Sequence, residues 1–135
     1  MRDQSSRDQS QSDHRREPAI RVVLMPKDTN AHGTIFGGVI LSYIDIAAAI
    51  EVRKFTSRKV VTKAMHEVVF VAPVFVGDIV SFYTELVRIG NTSITVRVSV
   101  EADRIDSPDE VAKVTEAEVV YVAIDDNRKP VPVQS

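Results

Sequence analysis

Asp45 is the residue whose surroundings point most clearly to chemistry. It stands within residues 40–50, where nearly every other position is apolar. A carboxylate in such a setting is expected to be partly desolvated, and an uncompensated buried charge is strongly destabilising. Proteins usually keep such a group at a functional site. The pattern therefore predicts a base or nucleophile, unless Asp45 lies on a wet stripe of its helix or pairs with a basic residue of a sheet.

Two other kinds of group precede Asp45. Gly37 and Gly38 open the same predicted helix, where unpaired backbone N–H groups carry a partial positive charge and glycine allows close approach. This is a candidate oxyanion site. Asn30, in the loop before the helix, has an amide that can orient water or a carbonyl group. A tight turn at the glycines and an Asx turn at Asn30 are the structural alternatives.

The spacing of these groups limits how they can cooperate. Gly37 and Asp45 are eight positions apart, which along a helix is about 12 Å. One reacting carbon cannot contact both groups. A shared reaction would therefore need the Asp45 of a second copy, whose helix lies antiparallel beside the first. The sequence predicts an obligate homodimer with two equivalent sites if it encodes this kind of enzyme.

Several other site types are disfavoured. The chain has no cysteine, which excludes disulfides, thiolate zinc sites and cysteine nucleophiles. Its three histidines lack H-x-H or H-x-x-x-H spacing and no G-x-S-x-G elbow occurs, so neither a metal site nor a serine hydrolase is predicted. A formal net charge of -2 argues against nucleic acid as the main partner. Residues 53–63 carry only basic charges and could suit phosphates, with a solvated surface as the alternative.

The elements that position these groups follow from hydropathy periodicity. Residues 38–54 form the one convincing helix, and its first three turns are apolar on nearly every face, which predicts a buried helix. Period-two alternation predicts four consecutive antiparallel strands joined by short turns, at residues 59–74, 79–89, 94–101 and 111–124. A bulge is expected near Thr115 and Glu116, and Gly90 with Asn91 indicates a two-residue hairpin turn. A short first strand within residues 18–25 completes the set.

The fold class is therefore α+β, with a long central buried helix wrapped by a curved antiparallel sheet of about five strands. A single domain is predicted at residues 18–125. Residues 1–17 contain one apolar residue and are expected to be a disordered polar tail. They lack the apolar core of a secretory signal, which predicts a cytoplasmic protein. Residues 126–135 are expected to be a loose tail. No apolar run approaches the roughly 20 residues of a membrane span, so no membrane association is predicted.

In order along the chain, these residues resemble a known pattern. Residues 28–45 fit D-T-N-x-x-G-x-I-F-G-G followed, after six positions, by Asp45. Residues 70–78 fit F-x-x-P-V-x-V-G-D, and residues 88–93 fit R-x-G-x-T-S. With these motifs, residues 20–124 resemble a hotdog-fold acyl-CoA thioesterase of the small bacterial YciA-like and cytosolic acyl-CoA hydrolase group.

The resemblance implies hydrolysis of an acyl-CoA to a free carboxylic acid and CoA, without a cofactor, since coenzyme A is part of the substrate. Asp45 would be the general base or nucleophile, and the partner's Asn30 would position water or thioester. The N–H of Gly37, helped by that of Gly38, would stabilise the oxyanion. The CoA nucleotide would bind at Arg88, Gly90, Thr92 and Ser93. Homodimers would assemble further, with a trimer of dimers expected and a tetramer as the alternative.

Two alternatives stay open. A hotdog enoyl-CoA hydratase or dehydratase would use a D-x-N-x-x-H pattern. Asp28 and Asn30 fit it, but His32 comes one position early and Asp45 would have no role. A non-catalytic acyl-CoA-binding hotdog subunit is the second alternative, and the presence of Asn30, Gly37 and Asp45 together argues against it. The preferred acyl chain length cannot be read from these residues.

Overall fold

The computed structural model describes residues 16–134, so the polar tail predicted at residues 1–17 lies almost wholly outside the described residues. Within the described part, one α-helix, a short 3-10 turn and five strands are present. They are β1 (Ile20–Val23), the 3-10 turn (Pro26–Asp28), α1 (Gly37–Val52), β2 (Lys59–His66), β3 (Ile79–Ile89), β4 (Ser93–Asp103) and β5 (Val111–Ile124). No helix in this part is long and apolar enough to cross a bilayer.

The five strands form one antiparallel sheet in the order β1-β3-β4-β5-β2. The predicted succession of antiparallel neighbours is confirmed for β3, β4 and β5. It is wrong for β2, which pairs with β5 at the far edge. The predicted long strand to residue 74 ends at His66, because Glu67 has a positive φ of 55° that extended pairing does not allow. Residues 67–78 then pass the N-terminal end of α1, where the N–H of Ile35 bonds to the Val74 carbonyl oxygen at 2.8 Å.

The core lies between α1 and the inner face of the sheet. The alternation expected in β4 and β5 is confirmed, since the inward positions of both strands are buried. They are Ile94, Val96, Val98, Val100, Ala117, Val119, Tyr121 and Ala123. On α1, Ile40, Ile44, Ala47 and Ala48 face them and are also buried. Each buried branched side chain contributes roughly 1.5–3 kcal/mol, so this layer holds the helix against the sheet.

The change of phase in β5 is a bulge, as predicted, one position earlier than expected. Val100 pairs with Thr115 and Glu101 pairs with Lys113, which leaves Val114 as the extra residue. Val114 and Thr115 are both buried. A bulge increases the local twist and bends the strand, which helps the sheet to curve around α1.

The C-terminal residues, expected to be loose, are bonded to the domain. The N–H of Val131 donates to the Ala123 carbonyl oxygen, and that of Val133 donates to the Asn91 carbonyl oxygen, both at 2.9 Å. The prolines at 130 and 132 alternate with these donors, so their missing N–H groups cost no bond. The adjacent hairpin loop has three residues, 90–92, instead of the predicted two.

The helix is less enclosed in one chain than its composition predicts. Ile46 is 52% exposed and Ile50 is 44% exposed, and Ser42 on the same side is also exposed. Apolar side chains are therefore directed away from the sheet. Such a face is expected to meet another protein surface, which agrees with the predicted homodimer.

Candidate active site

Asp45 lies near the middle of α1, partly buried, with its carboxylate directed at the sheet edge formed by β5 and β2. Its Oδ1 accepts a hydrogen bond from Thr62 Oγ1 at 2.8 Å and another from the Tyr121 hydroxyl at 2.7 Å. None of the ion pairs within residues 16–134 includes Asp45. The alternative in which a basic residue neutralises Asp45 is therefore not what this part of the chain shows. Two neutral hydroxyls hold the carboxylate instead.

Tyr121 is a permanent donor beside Asp45. Burial raises the pKa of its hydroxyl well above the usual range, and the hydrogen bond to Asp45 raises that pKa further. The hydroxyl therefore keeps its proton at neutral pH. Sequence reasoning assigned no role to Tyr121 or Thr62. The available signal was that Tyr121 is a polar residue at an inward position of β5, between the buried Val119 and Ala123.

The N-terminus of α1 is open for a ligand. Phe36 occupies the position before the helix in extended conformation, and no side chain caps the first turn. The first backbone N–H groups, at Gly37 and Gly38, have no intrahelical acceptor. A Cβ on Gly37 would lie 3.6 Å from the Phe70 ring, and one on Gly38 would lie 3.5 Å from the Phe36 ring. The two glycines therefore keep the space between backbone and aromatic rings open.

A cleft of about 360 Å³ lies against this helix start. Its lining is mostly apolar and consists of Thr34, Ile35, Gly37, Ile40, Phe70, Val71, Ala72, Pro73 and Val74. An apolar wall beside free N–H groups can hold an acyl chain while the N–H groups bind the carbonyl oxygen, since low polarity strengthens such bonds. The cleft thus combines the two features that a thioester site needs.

Asn30 organises the loop before α1. Its Oδ1 accepts from the N–H groups of His32 at 2.8 Å and Thr34 at 3.2 Å, and its Nδ2 donates to Thr34 Oγ1 at 3.0 Å. The structural alternative, an Asx-type turn, is thus present, and Gly33 closes the loop with a φ of 84°. One Nδ2 hydrogen is left for a ligand. Asn30 can therefore donate a hydrogen bond to a carbonyl or water oxygen while its own oxygen is occupied.

Asp28 and His32 are the other residues of the hydratase pattern. The Asp28 side chain makes hydrogen bonds only within its own turn, and the His32 side chain makes no hydrogen bond to the described residues. The carboxylate of Asp28 accepts from the Met25 N–H at 3.2 Å and from Lys27 Nζ at 3.1 Å. These contacts, the Met25 bond first, lower the pKa of Asp28. His32 is exposed, and the bond to Asn30 uses its backbone N–H. Asp28 therefore serves to close the 3-10 turn.

The four nucleotide-binding candidates lie at the opposite end of α1 from Gly37. Arg88 is the next-to-last residue of β3, Gly90 and Thr92 lie in the hairpin loop, and Ser93 begins β4. The hairpin lies beside the C-terminal end of α1, because Val133 bonds both to Asn91 and to the Thr56 hydroxyl that follows the helix. The 16 residues of α1 correspond to a length of about 24 Å. One chain therefore does not bring the nucleotide and oxyanion candidates together.

The basic segment at residues 53–63 begins at this same end of α1. Lys54 pairs with Glu51 at 2.9 Å. Arg58 Nε is buried and no acceptor within the described residues reaches it. Arg53, Lys54 and Lys59 are exposed, and exposed cations near the hairpin agree with the phosphate interpretation of this segment.

Another cleft lies on the outer face of the sheet, away from α1. It has a volume of about 610 Å³ and is lined by His66, Glu67, Glu85, Arg97, Glu116, Ala117 and Glu118. Arg97 bonds Glu118 at 2.8 Å and Glu85 at 3.4 Å. No group of three or more metal-ligating side chains is found in residues 16–134. This cleft is a solvated surface of paired charges, and the apolar cleft at the helix start is the better candidate site.

Comparison with known proteins gives a consistent result. The family model of the thioesterase superfamily matches residues 32–108. The chain is 40% identical to the acyl-CoA thioester hydrolase YciA of Salmonella typhimurium over 119 residues, which covers 87% of this chain and 90% of that protein. Among solved structures it is similar to Cj0915, a hexameric hotdog-fold thioesterase of Campylobacter jejuni. The identity is 48% and the TM-score 0.81, with 87% of this chain and 90% of that chain covered.

A second similar structure is HI0827, a hexameric broad-specificity acyl-coenzyme A thioesterase studied as an aspartate-to-alanine variant. The identity is 35% and the TM-score is 0.80, with 86% of this chain and 85% of that chain covered.

Proposed function

This chain belongs to the thioesterase superfamily and is a hotdog-fold acyl-CoA thioester hydrolase, and from that premise we propose which residues carry the reaction. Asp45 acts either as a general base that takes a proton from water or as a nucleophile that bonds to the acyl carbon itself. The N–H of Gly37, with that of Gly38, receives the developing oxyanion. Asn30 donates its free amide hydrogen to water or to the thioester. Coenzyme A enters as part of the substrate and leaves as the product thiol, and the reaction requires no separate cofactor.

The observation that carries this proposal is the state of the Asp45 carboxylate. Thr62 and Tyr121 both bond to Oδ1, while Oδ2 accepts no hydrogen bond from the described residues. If Oδ2 takes a proton from water, the hydroxide oxygen bonds to the thioester carbon and the carbonyl oxygen gains negative charge. When the carbon–sulfur bond breaks, the protonated Asp45 returns the proton to the CoA thiolate. Attack by Oδ2 itself would instead break the carbon–sulfur bond, release the CoA thiolate and form an anhydride, which water then hydrolyses to the free acid and the restored Asp45.

We propose that each site combines two subunits. Asp45 is two helical turns from Gly37, and the apolar side of α1 that carries Ile46 and Ile50 is exposed in one chain. A second α1 packed antiparallel on that side brings the partner's Asn30 and the partner's Gly37 towards Asp45. The homodimer is thus the minimum active unit. A trimer of dimers is the proposed assembly, because the similar thioesterases Cj0915 and HI0827 are hexameric. Location in the cytoplasm stays a prediction.

Mixed oligomers test the shared site. Asn30→Ala and Asp45→Ala chains are each expected to be inactive alone, whereas their co-expression should restore about a quarter of the wild-type activity. Half of randomly formed dimers are mixed, and one of their two sites has both groups intact. Acyl-CoA hydrolysis is followed by released thiol, to which this cysteine-free chain contributes no background.

In the control, each variant is co-expressed with a copy of itself that carries a second affinity tag. Mixed oligomers are purified on both tags in succession. Lack of recovery in verified mixed oligomers would refute the two-subunit assignment, although hydrolysis by the wild type would still stand.

The nucleotide assignment predicts a change in substrate binding. Arg88→Ala is expected to raise KM for an acyl-CoA about tenfold with little change in kcat, because a charge-assisted bond to phosphate contributes equally to ground and transition states. An acyl N-acetylcysteamine thioester, which lacks the nucleotide, should be hydrolysed by the variant as by the wild type. Lys113→Ala serves as the matched control for removal of a basic residue. Equal effects on both substrates would show that Arg88 does not bind the nucleotide.

A further inference from the structure

The Thr62 and Tyr121 hydroxyls meet at Asp45 because of strand register. Thr62 of β2 and Tyr121 of β5 are direct cross-strand partners, and the β2 bulge that makes Lys63 the extra residue follows at once. Bulges commonly redirect a side chain beside a functional group. A tyrosine that is 2% exposed needs a partner for its hydroxyl. Here both hydroxyls point at one carboxylate on the facing helix.

The contacts bind Asp45 at three points. Thr62 Oγ1 lies 2.8 Å from Oδ1, and the Tyr121 hydroxyl lies 2.7 Å from Oδ1 and 2.6 Å from the main-chain oxygen of Asp45. The single hydrogen of the Tyr121 hydroxyl is shared between these two oxygens, so the tyrosine links the side chain of Asp45 to its own backbone and restricts both side-chain torsions. Because a carboxylate is planar, holding Oδ1 from two directions also fixes where Oδ2 points.

We propose that Tyr121 and Thr62 are positioning residues that hold Oδ1 of Asp45 so that Oδ2 is aimed at water or the thioester carbon. The inference rests on the proposed attack by Asp45. Neither hydroxyl touches the reacting atoms, since both bond to the oxygen that does not react. Their contribution is orientation, and small displacements of a reacting group have large effects on rate. The raised pKa of Tyr121 supports this role, because a hydroxyl that never ionises is a constant donor.

Tyr121→Phe removes one oxygen and keeps the ring that packs in the core. We expect kcat for acyl-CoA hydrolysis to fall about tenfold with KM nearly unchanged, as for a group that acts only on the attacking residue. Thr62→Val should have a similar effect, while Thr62→Ser, which keeps the hydroxyl, should retain most of the activity. A structural role alone would not separate valine from serine in kcat. Tyr83→Phe, a change on the outer face of the sheet, is the matched control.

A double-mutant cycle separates this inference from the proposed function. In the Asp45→Ala background, adding Tyr121→Phe should change the residual rate less than about twofold, because the hydroxyl then has nothing to position. An active Asp45→Ala variant would refute the proposed function itself. Inactive Asp45→Ala together with fully active Tyr121→Phe and Thr62→Val would overturn only the positioning role. A further tenfold loss in the Asp45→Ala background would also overturn it.

Discussion

Asp45→Ala is expected to lower kcat/KM for acyl-CoA hydrolysis at least about a hundredfold, the usual size of a general-base contribution. No other carboxylate within the described residues accepts hydrogen bonds from two hydroxyls, so we expect no neighbour to replace it. The variant should stay folded, because Asp45 forms no ion pair in that part of the chain. The measurement is thiol release over a range of acyl-CoA concentrations, together with the oligomeric state in solution.

Two companion variants sharpen this result. Asp45→Asn keeps an oxygen that can accept from Thr62 and Tyr121 but cannot take a proton, so its activity should be as low as that of the alanine variant. Glu51→Gln changes another carboxylate of α1, which bonds Thr84 at 2.9 Å and Lys54, and should keep its activity. Turnover near the wild-type rate in Asp45→Asn would remove both base and nucleophile from the mechanism.

Arg104→Met is expected to destabilise the protein by about 3 kcal/mol or more, the cost of leaving a buried charge unpaired. Asp78 is 1% exposed, and its Oδ2 lies 2.5 Å from the Arg104 guanidinium. The same guanidinium bonds the Pro73 carbonyl oxygen at 3.0 Å and lies over the Phe75 ring. It therefore holds the end of the connection between β2 and β3, which also forms one wall of the apolar cleft.

Thermal unfolding at fixed protein concentration measures the effect, with a fall in Tm of roughly 10 °C expected. Adding Asp78→Asn to Arg104→Met should recover part of the loss, since no buried charge is then left. Arg97→Met breaks an exposed ion pair on the outer face of the sheet and should change Tm only slightly. If the Arg97 and Arg104 variants lost equal stability, the buried pair would not have the role described.

Periodicity predicted which residues face inward, but it carried no information on strand partners. The alternation of β4 identified its inward-facing positions correctly, because side-chain facing is a local property of extended chain, although Thr95 on the other face is also buried. The pairing of β2 with β5 depends on the path of residues 67–78, which Glu67 redirects by a backbone conformation that its residue type does not favour. The bonded C-terminal residues were missed for a related reason. Their donors, Val131 and Val133, become visible only once Ala123 and Asn91 are placed beside them.

For the candidate site too, the sequence predicted the residues that form local patterns but not those brought together by strand pairing. Asp45 and the glycines could be found because a lone carboxylate in an apolar helix and a glycine pair at its start are local patterns. Thr62 and Tyr121 are ordinary strand residues in the sequence, and only the register of two strands distant in the chain brings them to Asp45. The apolar composition of α1 predicts burial on every side, including that of Ile46, because composition does not distinguish burial within one chain from burial between two.

The packing of α1 against the sheet, together with the partner surface proposed for its other side, restricts how this chain can vary. Ala47 and Ala48 face the sheet, while Ile46 and Ile50 face away from it. Rotation of the helix would therefore move the alanines out of the core and turn the isoleucines from their present direction. Inserting one residue between Gly37 and Asp45 would turn the carboxylate by about 100° and move it about 1.5 Å. Such a change would carry Asp45 away from Thr62 and Tyr121. Over evolutionary time this segment can therefore change by substitution, but not by insertion or deletion.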